Sequence, residues 1–460
     1  MSSYDRAARA AEAKRFLEAN RDIRLISVIV TDNCGVQRGK LLTRDELVGV
    51  FEKGRFLPGS FRVLDVTGRD VEETRMVWED GDADRIALPV EGTLMRTPWT
   101  ETPQGQYLGW LHELDGTPCI VEPRATLKRV VDRLAELDLT PVAAIELEFY
   151  LLDRESALDG RPSPPKGLTN GARPQHYQAY LLQDIEDFSP FFRDLYEMAE
   201  QQGLPVQTAI SEYAPGQMEL ALHHRADALK ACDEAIMYKT LVKAVAEKHG
   251  LIATFMAKPY SNFTGSGMHV HASLAGKDGR NAFAAEKPED NALLLNAIGG
   301  LKATMGDGMA IFAPNANSYR RFRKNSYAPI APTWGFNNRT VSLRIPATVG
   351  QGMHIEHRSA GADANPYLVL AAVLAGMHHG IVEGIDPGPA AVGNAYELKD
   401  VPKMPTNWYR ALEVMRGSQF LRDYFSDEFV DTFATVKEAE ADRFYAEPSR
   451  LDFDYYLRTI

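Results

Sequence analysis

Carboxylate, imidazole and guanidinium side chains recur at alternate positions in several strand-like segments of this 460-residue sequence. Residues two apart in a strand point the same way, so each such segment presents a polar face backed by an apolar one. Glu146 and Glu148 share one face while Ile145, Leu147 and Phe149 take the other. His269, His271 and Ser273 align against Met268, Val270 and Leu274. His354, Glu356 and Arg358 align in a third segment, and Arg344 aligns with Ser342 and Thr340 in a fourth. Glu212 and Glu219 flank the turn-like run YAPGQ and can converge from adjoining strand ends.

A solvated strand face explains any one of these patterns. Together they describe a curved sheet, apolar and helix-covered outside, polar on its concave inside. Glu146, Glu148, Glu212, Glu219 and Glu356 with His269 form a hard, oxygen-rich ligand set. Such a set suits two or more Mg²⁺ or Mn²⁺ ions, whereas structural zinc takes thiolates and imidazoles. Divalent ions beside Arg321, Arg339 and Arg344 suit a polyphosphate, since both neutralise charge on a transferring phosphoryl group. ATP is therefore expected, although no phosphate loop is present. The run GVQRGK at 35–40 has three residues between its glycines where that motif needs four, and strand residues follow it.

The elements that must position these groups can be read in outline. Residues 23–43 form a hairpin, with Ile26, Val28 and Val30 alternating before the turn at 32–35. Thr43 and Glu46 make a capping box for a helix at 45–53, ended by Gly54. An amphipathic helix begins near Glu122, with Leu127, Val130, Val131 and Leu134 at helical spacing. The strand VAAIELEFYLL follows, then a Pro/Gly-rich loop at 154–176. A helix over 227–249 stops at Gly250 and leads to a strand at 251–257; the tail from 400 is helical and carries no motif. The length favours two domains. A net charge of −12 argues against nucleic-acid binding. Three scattered cysteines, Cys34, Cys119 and Cys232, give no disulfide framework. The N-terminal run DRAARAAEAKRFLEAN reads as a polar surface helix and lacks the apolar centre of a secretory signal. With no apolar run as long as a membrane span, a cytoplasmic protein is expected.

ELEFYLLD at 146–153, EYAPGQMEL at 212–220, KPYSNFTGSGMHVH at 258–271, NSYRRF at 317–322, NNRTVSLRIP at 337–346 and ADANPYLVLAA at 362–372 resemble the glutamine synthetase superfamily. Within it the wording is most similar to glutamate–putrescine ligases. The resemblance implies an α+β fold: an N-terminal helix (1–22), a small β-grasp-like domain (23–120) and a large catalytic domain (121–460) with a curved antiparallel sheet covered by helices. It implies a dodecamer of two stacked hexamers, each site completed by a neighbour's N-terminal domain. Glu148, Glu212 and Glu219 fall where the family holds one metal, and Glu146, His269 and Glu356 where it holds another. His271, Ser273, Arg339 and Arg344 fall on the ATP side; Gly265, Arg321 and Arg358 fall at glutamate. The implied catalytic residues are Glu212, Arg339 and Arg321.

Departures from the family pattern concern the amine. Pro58 in LPGSF and Tyr327 in NSYAP stand where ammonium-using members carry Asp and Glu. Replacing carboxylates by apolar and aromatic groups favours an alkyl amine such as putrescine over ammonium. Thr264 and His354 also depart, near the glutamate amino group and the phosphates. Tyr396 lies near a position adenylylated in some members, without the surrounding motif. The expected reaction joins the glutamate γ-carboxylate to the amine through γ-glutamyl phosphate. A ligase for ethanolamine, methylamine or an aromatic amine, an ordinary glutamine synthetase, and a non-catalytic relative are the competing readings.

Overall fold

The computed structural model describes residues 3–460, with side chains from Arg6 onward. Two sheets organise it. The first contains β1 (Leu25–Thr31), β2 (Gln37–Thr43), β3 (Arg55–Leu57), β4 (Arg85–Pro89), β5 (Met95–Arg96) and β6 (Gln104–His112), in the order β2-β1-β6-β4-β3. β1 and β6 are parallel and the other pairs antiparallel, as in a β-grasp. The expected hairpin is present, and its turn depends on Gly35 at φ +76°, a backbone region that costs glycine little. The Thr43–Glu46 capping box also forms. It opens a 3₁₀ turn that leads into the helix Leu47–Lys53, whose last turn closes at Gly54.

The second sheet contains β7 (Thr140–Asp153), β8 (Val206–Ser211), β9 (Gln217–Leu222), β10 (Leu251–Thr254), β11 (Met268–Ala275), β12 (Trp334–Phe336), β13 (Leu343–Ile345) and β14 (Ile355–His357). Its order is β12-β13-β14-β11-β7-β9-β8, with β10 pairing the far end of β7. All its pairs are antiparallel except β12 with β13. One face packs on the helices Pro123–Glu136, Ala228–Lys248, Ala292–Thr304 and Pro366–Glu383 in one large apolar core. Pro366–Glu383 is long and apolar enough to cross a membrane by composition, but 78% of it is buried inside the protein, and it is the central core helix.

Three local expectations give way. Residues 154–176 are not all loop: Asp153 accepts a hydrogen bond from the Ser156 N–H at 3.0 Å and starts the short helix Arg154–Leu158. β10 ends at Thr254, three residues early. β13 is only three residues long, so Thr340 and Ser342 do not join Arg344 on its polar face. The Ser342 hydroxyl instead donates to Ala331 O, and that of Thr340 to Asn338 Oδ1 at 2.7 Å. The tail is not idle. Its helix Asp427–Ala446 returns to the first sheet, burying Lys437 and Glu440 beside Cys34. All three cysteines are buried and unpaired with one another.

Candidate active site

Sheet register places the charged residues. Across β7 and β11, Glu146 pairs with His269; across β7 and β9, Glu148 pairs with Glu219. Across β14, Glu356 pairs with His271 on one side and Arg344 on the other. Side chains directly opposite lie within roughly 5 Å at Cβ, so five strands bring these groups to one spot on the concave face. There they line a cavity of about 670 Å³, together with Glu212, Gly265, Arg321, Arg339, Arg358 and Tyr327.

Two ligand-like clusters share one imidazole. Glu146, His269 and Glu356 form the first, and Glu148, Glu219 and His269 the second; in each the donor atoms lie within 4.8 Å of one another. His269 Nδ1 is 2.7 Å from Glu146 Oε1 and 3.9 Å from Glu356 Oε1, while Nε2 is 3.8 Å from Glu148 Oε1. Glu212 lines the same cavity but belongs to neither cluster.

The electrostatics divide the carboxylates. Glu356 is buried, which opposes its charge, but Arg358, His269, His271 and Arg344 prevail and hold its carboxyl at about 2. Arg344 donates to Glu356 Oε2 at 2.6 Å, and Arg358 to Oε1. Burial also opposes the charge of Glu146, yet its hydrogen bonds with His269 and His271 hold it well below the usual range. Glu219 is pushed the other way, to about 11, by burial and by Glu146, Glu148 and Glu212. Glu212 is raised to about 8 by burial and by Glu148 and Glu146. Among the described residues neither Glu212 nor Glu219 has a Lys or Arg within ion-pair distance. Directly opposed like charges in a sheet are unfavourable unless something cationic sits between them. The hard oxygen donors and single imidazole fit Mg²⁺ or Mn²⁺.

Glycines make room for the arginines. A Cβ on Gly265 would sit 2.6 Å from Arg321 Cγ, and one on Gly267 would sit 3.1 Å from both Arg321 and His269. Arg321 and Arg358 are buried; Arg321 donates to Ser359 O at 3.2 Å, and the Nε atoms of Arg321, Arg344 and Arg358 lack a protein partner. Unpartnered buried donors at a cavity wall are suited to an anionic ligand. Arg339 is exposed at the mouth.

Ser273 lies outside this cavity. It lines an adjoining one of about 1100 Å³ that shares Glu146, His271 and Arg344 with the first. His354 lines it too, and its Nε2 is 3.0 Å from His271 Nδ1. Pro58 does not line the cavity of its own chain; it caps a 3₁₀ turn in the first sheet's domain. Tyr327 does line it, half exposed, with its ring 6.2 Å from that of Tyr213.

Sequence reading missed part of the rim and one bridging amide. Tyr213 directly follows Glu212 in a motif already singled out. Tyr180 and Tyr327 are non-glycine residues at φ +61° and +57°, where side chains are strained; such outliers gather at ligand sites. Gln217 Nε2 donates to Glu148 Oε2 at 3.2 Å and to Gly265 O at 3.0 Å, joining metal-type and arginine-type groups. Its place one strand-end away from Glu219 was the available signal.

Residues 120–456 match the glutamine synthetase catalytic-domain family. The chain belongs to the glutamine synthetase family. It is similar, at 38% identity over 97% of this chain and 94% of the relative, to a γ-glutamylputrescine synthetase of Escherichia coli. A glutamate–isopropylamine ligase of a Pseudomonas species is 34% identical over 78% of each chain. A γ-glutamylethanolamide synthetase of Streptomyces coelicolor is 33% identical over 80% of this chain and 78% of its own. Among solved structures, GmaS in complex with ADP superposes with a TM-score of 0.83 at 27% identity, covering 98% of this chain and 99% of that one. This glutamine synthetase family member thus shares its architecture with a protein solved with ADP.

Proposed function

We propose that this protein joins the γ-carboxylate of glutamate to an alkyl amine, putrescine or a related polyamine, at the expense of ATP. The products are a γ-glutamyl amide, ADP and phosphate. The observation that carries the reading is the shared cavity, in which unbalanced carboxylates adjoin arginines whose buried Nε groups lack a partner, under a tyrosine rim. The similarity to three ligases that use amines larger than ammonia supports it.

Glu146, His269 and Glu356 would hold one divalent ion, and Glu148, Glu219 and Glu212 another. When bound, these ions supply charge neutralisation for phosphoryl transfer. The ATP phosphates extend toward His271, Ser273, Arg339 and Arg344. Arg321, packed against the missing side chain of Gly265, and Arg358 bind the carboxylate of glutamate. The γ-carboxylate attacks the terminal phosphate, giving γ-glutamyl phosphate, with Arg339 opposing the charge that develops. The amine then attacks the activated carbonyl and phosphate departs. An alkyl ammonium has a pKa near ~10.5 and must lose a proton first. We assign that proton to Glu212, which lines the cavity together with Tyr213 and Tyr327. Tyr327 and Tyr213 offer aromatic faces to the cation and apolar contact to its methylenes. Pro58 reaches an amine pocket only from a neighbouring subunit, in keeping with a homo-oligomer built as two stacked hexamers. We place the protein in the cytoplasm.

Phosphate release with ATP, Mg²⁺ and glutamate, measured against ammonium, methylamine, ethanolamine, putrescine, spermidine and aniline, tests the reading. Putrescine or spermidine is expected to give the highest kcat/KM. Ammonium winning would overturn the amine assignment, and no turnover with any amine would overturn the ligase.

A further inference from the structure

A third cavity of about 930 Å³ lies apart from the carboxylate site and shares no lining residue with it. It opens where the turn after β1, the helix Ala228–Lys248, the residues after β10 and the tail helix Asp427–Ala446 meet. Most of its charged groups are already matched. Arg443 pairs with Asp65, and Lys437 with Glu440 at 3.0 Å. Asp363 accepts hydrogen bonds at Oδ2 from Asn315 at 2.8 Å and Ser318 at 2.7 Å; its Oδ1 has no partner, and its charge opposes the lowering of Lys239.

Lys239 and Lys243 are different. They stand one helical turn apart on the same face, with no carboxylate in ion-pair contact among the described residues. Lys239 is 9% exposed, and its ammonium donates to Ala362 O at 2.8 Å. A Lys ammonium has three N–H groups, so one backbone acceptor leaves it undersatisfied in a place water reaches poorly. Its nitrogen lies 5.0 Å from the Phe255 ring centroid and that of Lys243 lies 5.9 Å from the same ring. Burial and the nearby charge of Lys243 push Lys239 down to about 7. Two like charges gathered on one ring, one of them buried, are unfavourable unless an anion joins them. Ile236, Phe255, Met256 and Phe444 make one apolar stretch of the wall, and polar groups such as Gln37, Thr240, Asn315 and Asn317 line the rest.

We propose that this cavity binds a small organic anion, its carboxylate held by Lys239 and Lys243 and its apolar body laid against Phe255, Ile236 and Met256. A bare inorganic anion would satisfy the ammonium groups but leave the apolar wall wet. The site stands independently of the ligase reading, because none of its residues takes part in that chemistry.

The test uses the full-length protein and hexanoate as probe, with acetate and sodium chloride at matched ionic strength as controls. Hexanoate is expected to raise the thermal unfolding midpoint by a few degrees in a concentration-dependent way, beyond either control. Lys243→Ala, an exposed residue, is expected to keep its own midpoint in chloride while weakening hexanoate roughly tenfold by calorimetric titration. Lys239→Met should abolish hexanoate binding. If that variant fails to fold, Met256→Trp fills the cavity from its half-exposed edge and should likewise remove binding. A hexanoate shift no larger than that of chloride, or equal hexanoate affinity in Lys243→Ala, would overturn the proposal.

Discussion

Two regions bury charge, and they do so to opposite ends. At the junction of the tail helix with the first sheet, Lys437, Glu440 and Cys34 interlock: Lys437 Nζ is 3.1 Å from Cys34 Sγ and 3.0 Å from Glu440 Oε2. Glu440 also accepts from the Val66 N–H at 2.7 Å, and Arg38 closes on Asp32 at 2.6 Å nearby. Every charge there has its partner within the chain. On the concave face of the second sheet, Glu148 and Glu219 are set directly opposite one another, and Glu212 adds a third carboxylate. A closed network adds to the scaffold. An open one lowers stability and is kept where a ligand completes it.

The sharpest way to break this contrast is to disarm each network in turn. Glu219→Gln should reduce amide formation on the order of 10²- to 10³-fold, the scale of losing one essential charge-stabilising group. The metal-free variant should unfold no earlier than the parent, because Glu219 is already held protonated in the folded chain and the amide stands in for that neutral form. Near-parental turnover would show that the opposed carboxylates are not functional. Lys437→Met should do the reverse. It strands Glu440 as a buried unpaired carboxylate, a change of roughly 3–5 kcal/mol in unfolding free energy, while the KM for glutamate in the folded fraction stays put. A denaturant midpoint equal to the parent's would mean the junction is not holding the tail.

A smaller effect separates the networks by pH. Glu212 and Glu219 are raised in the folded chain, to about 8 and about 11, from ordinary carboxylate values near ~4.5 when unfolded. Groups raised on folding contribute stability below the unfolded value and lose it as pH climbs toward the folded one. Glu356, held at about 2, is ionised in both states above roughly pH 6 and adds no slope there. Lys239, lowered to about 7, acts with the opposite sign over the same range, so the comparison is with a Glu212→Gln, Glu219→Gln variant: between pH 6 and pH 8 the chelator-treated parent should lose melting temperature relative to that variant, and Mn²⁺ should stabilise the parent more at pH 8, where fewer protons must be displaced. Parallel melting profiles for the two chelated proteins would contradict the cavity's electrostatics.

The mildest change refines the rim. Tyr327→Glu should shift the ratio of kcat/KM for putrescine over ammonium downward by about tenfold, in line with the modest energies of methylene contacts. An unchanged ratio would show that Tyr327 does not select the amine.

Much of the site was legible because β-strands have a period of two. Glu146 with Glu148, His269 with His271, and Glu356 with Arg358 could be put on common faces from spacing alone. The same rule failed at Thr340 and Ser342, since the strand it assumed begins only at Leu343. Helix starts were readable where a cap is local, as at Thr43 with Glu46. Contacts between segments distant in sequence were not readable. The tail helix gave no sign of Cys34, some 400 residues earlier, because nothing in a helical repeat names its partner.

The sequence by itself determined which residues carry charge, which strands present them, and, through its motifs, the family resemblance. Tertiary structure alone decided pairings: that Glu148 faces Glu219, that His269 serves both clusters, that Ser273 lies next door, and that two lysines share a ring. Facing is fixed by local backbone geometry, which a short segment encodes. Register and packing depend on which surfaces the whole chain buries together, and no local spacing contains that information.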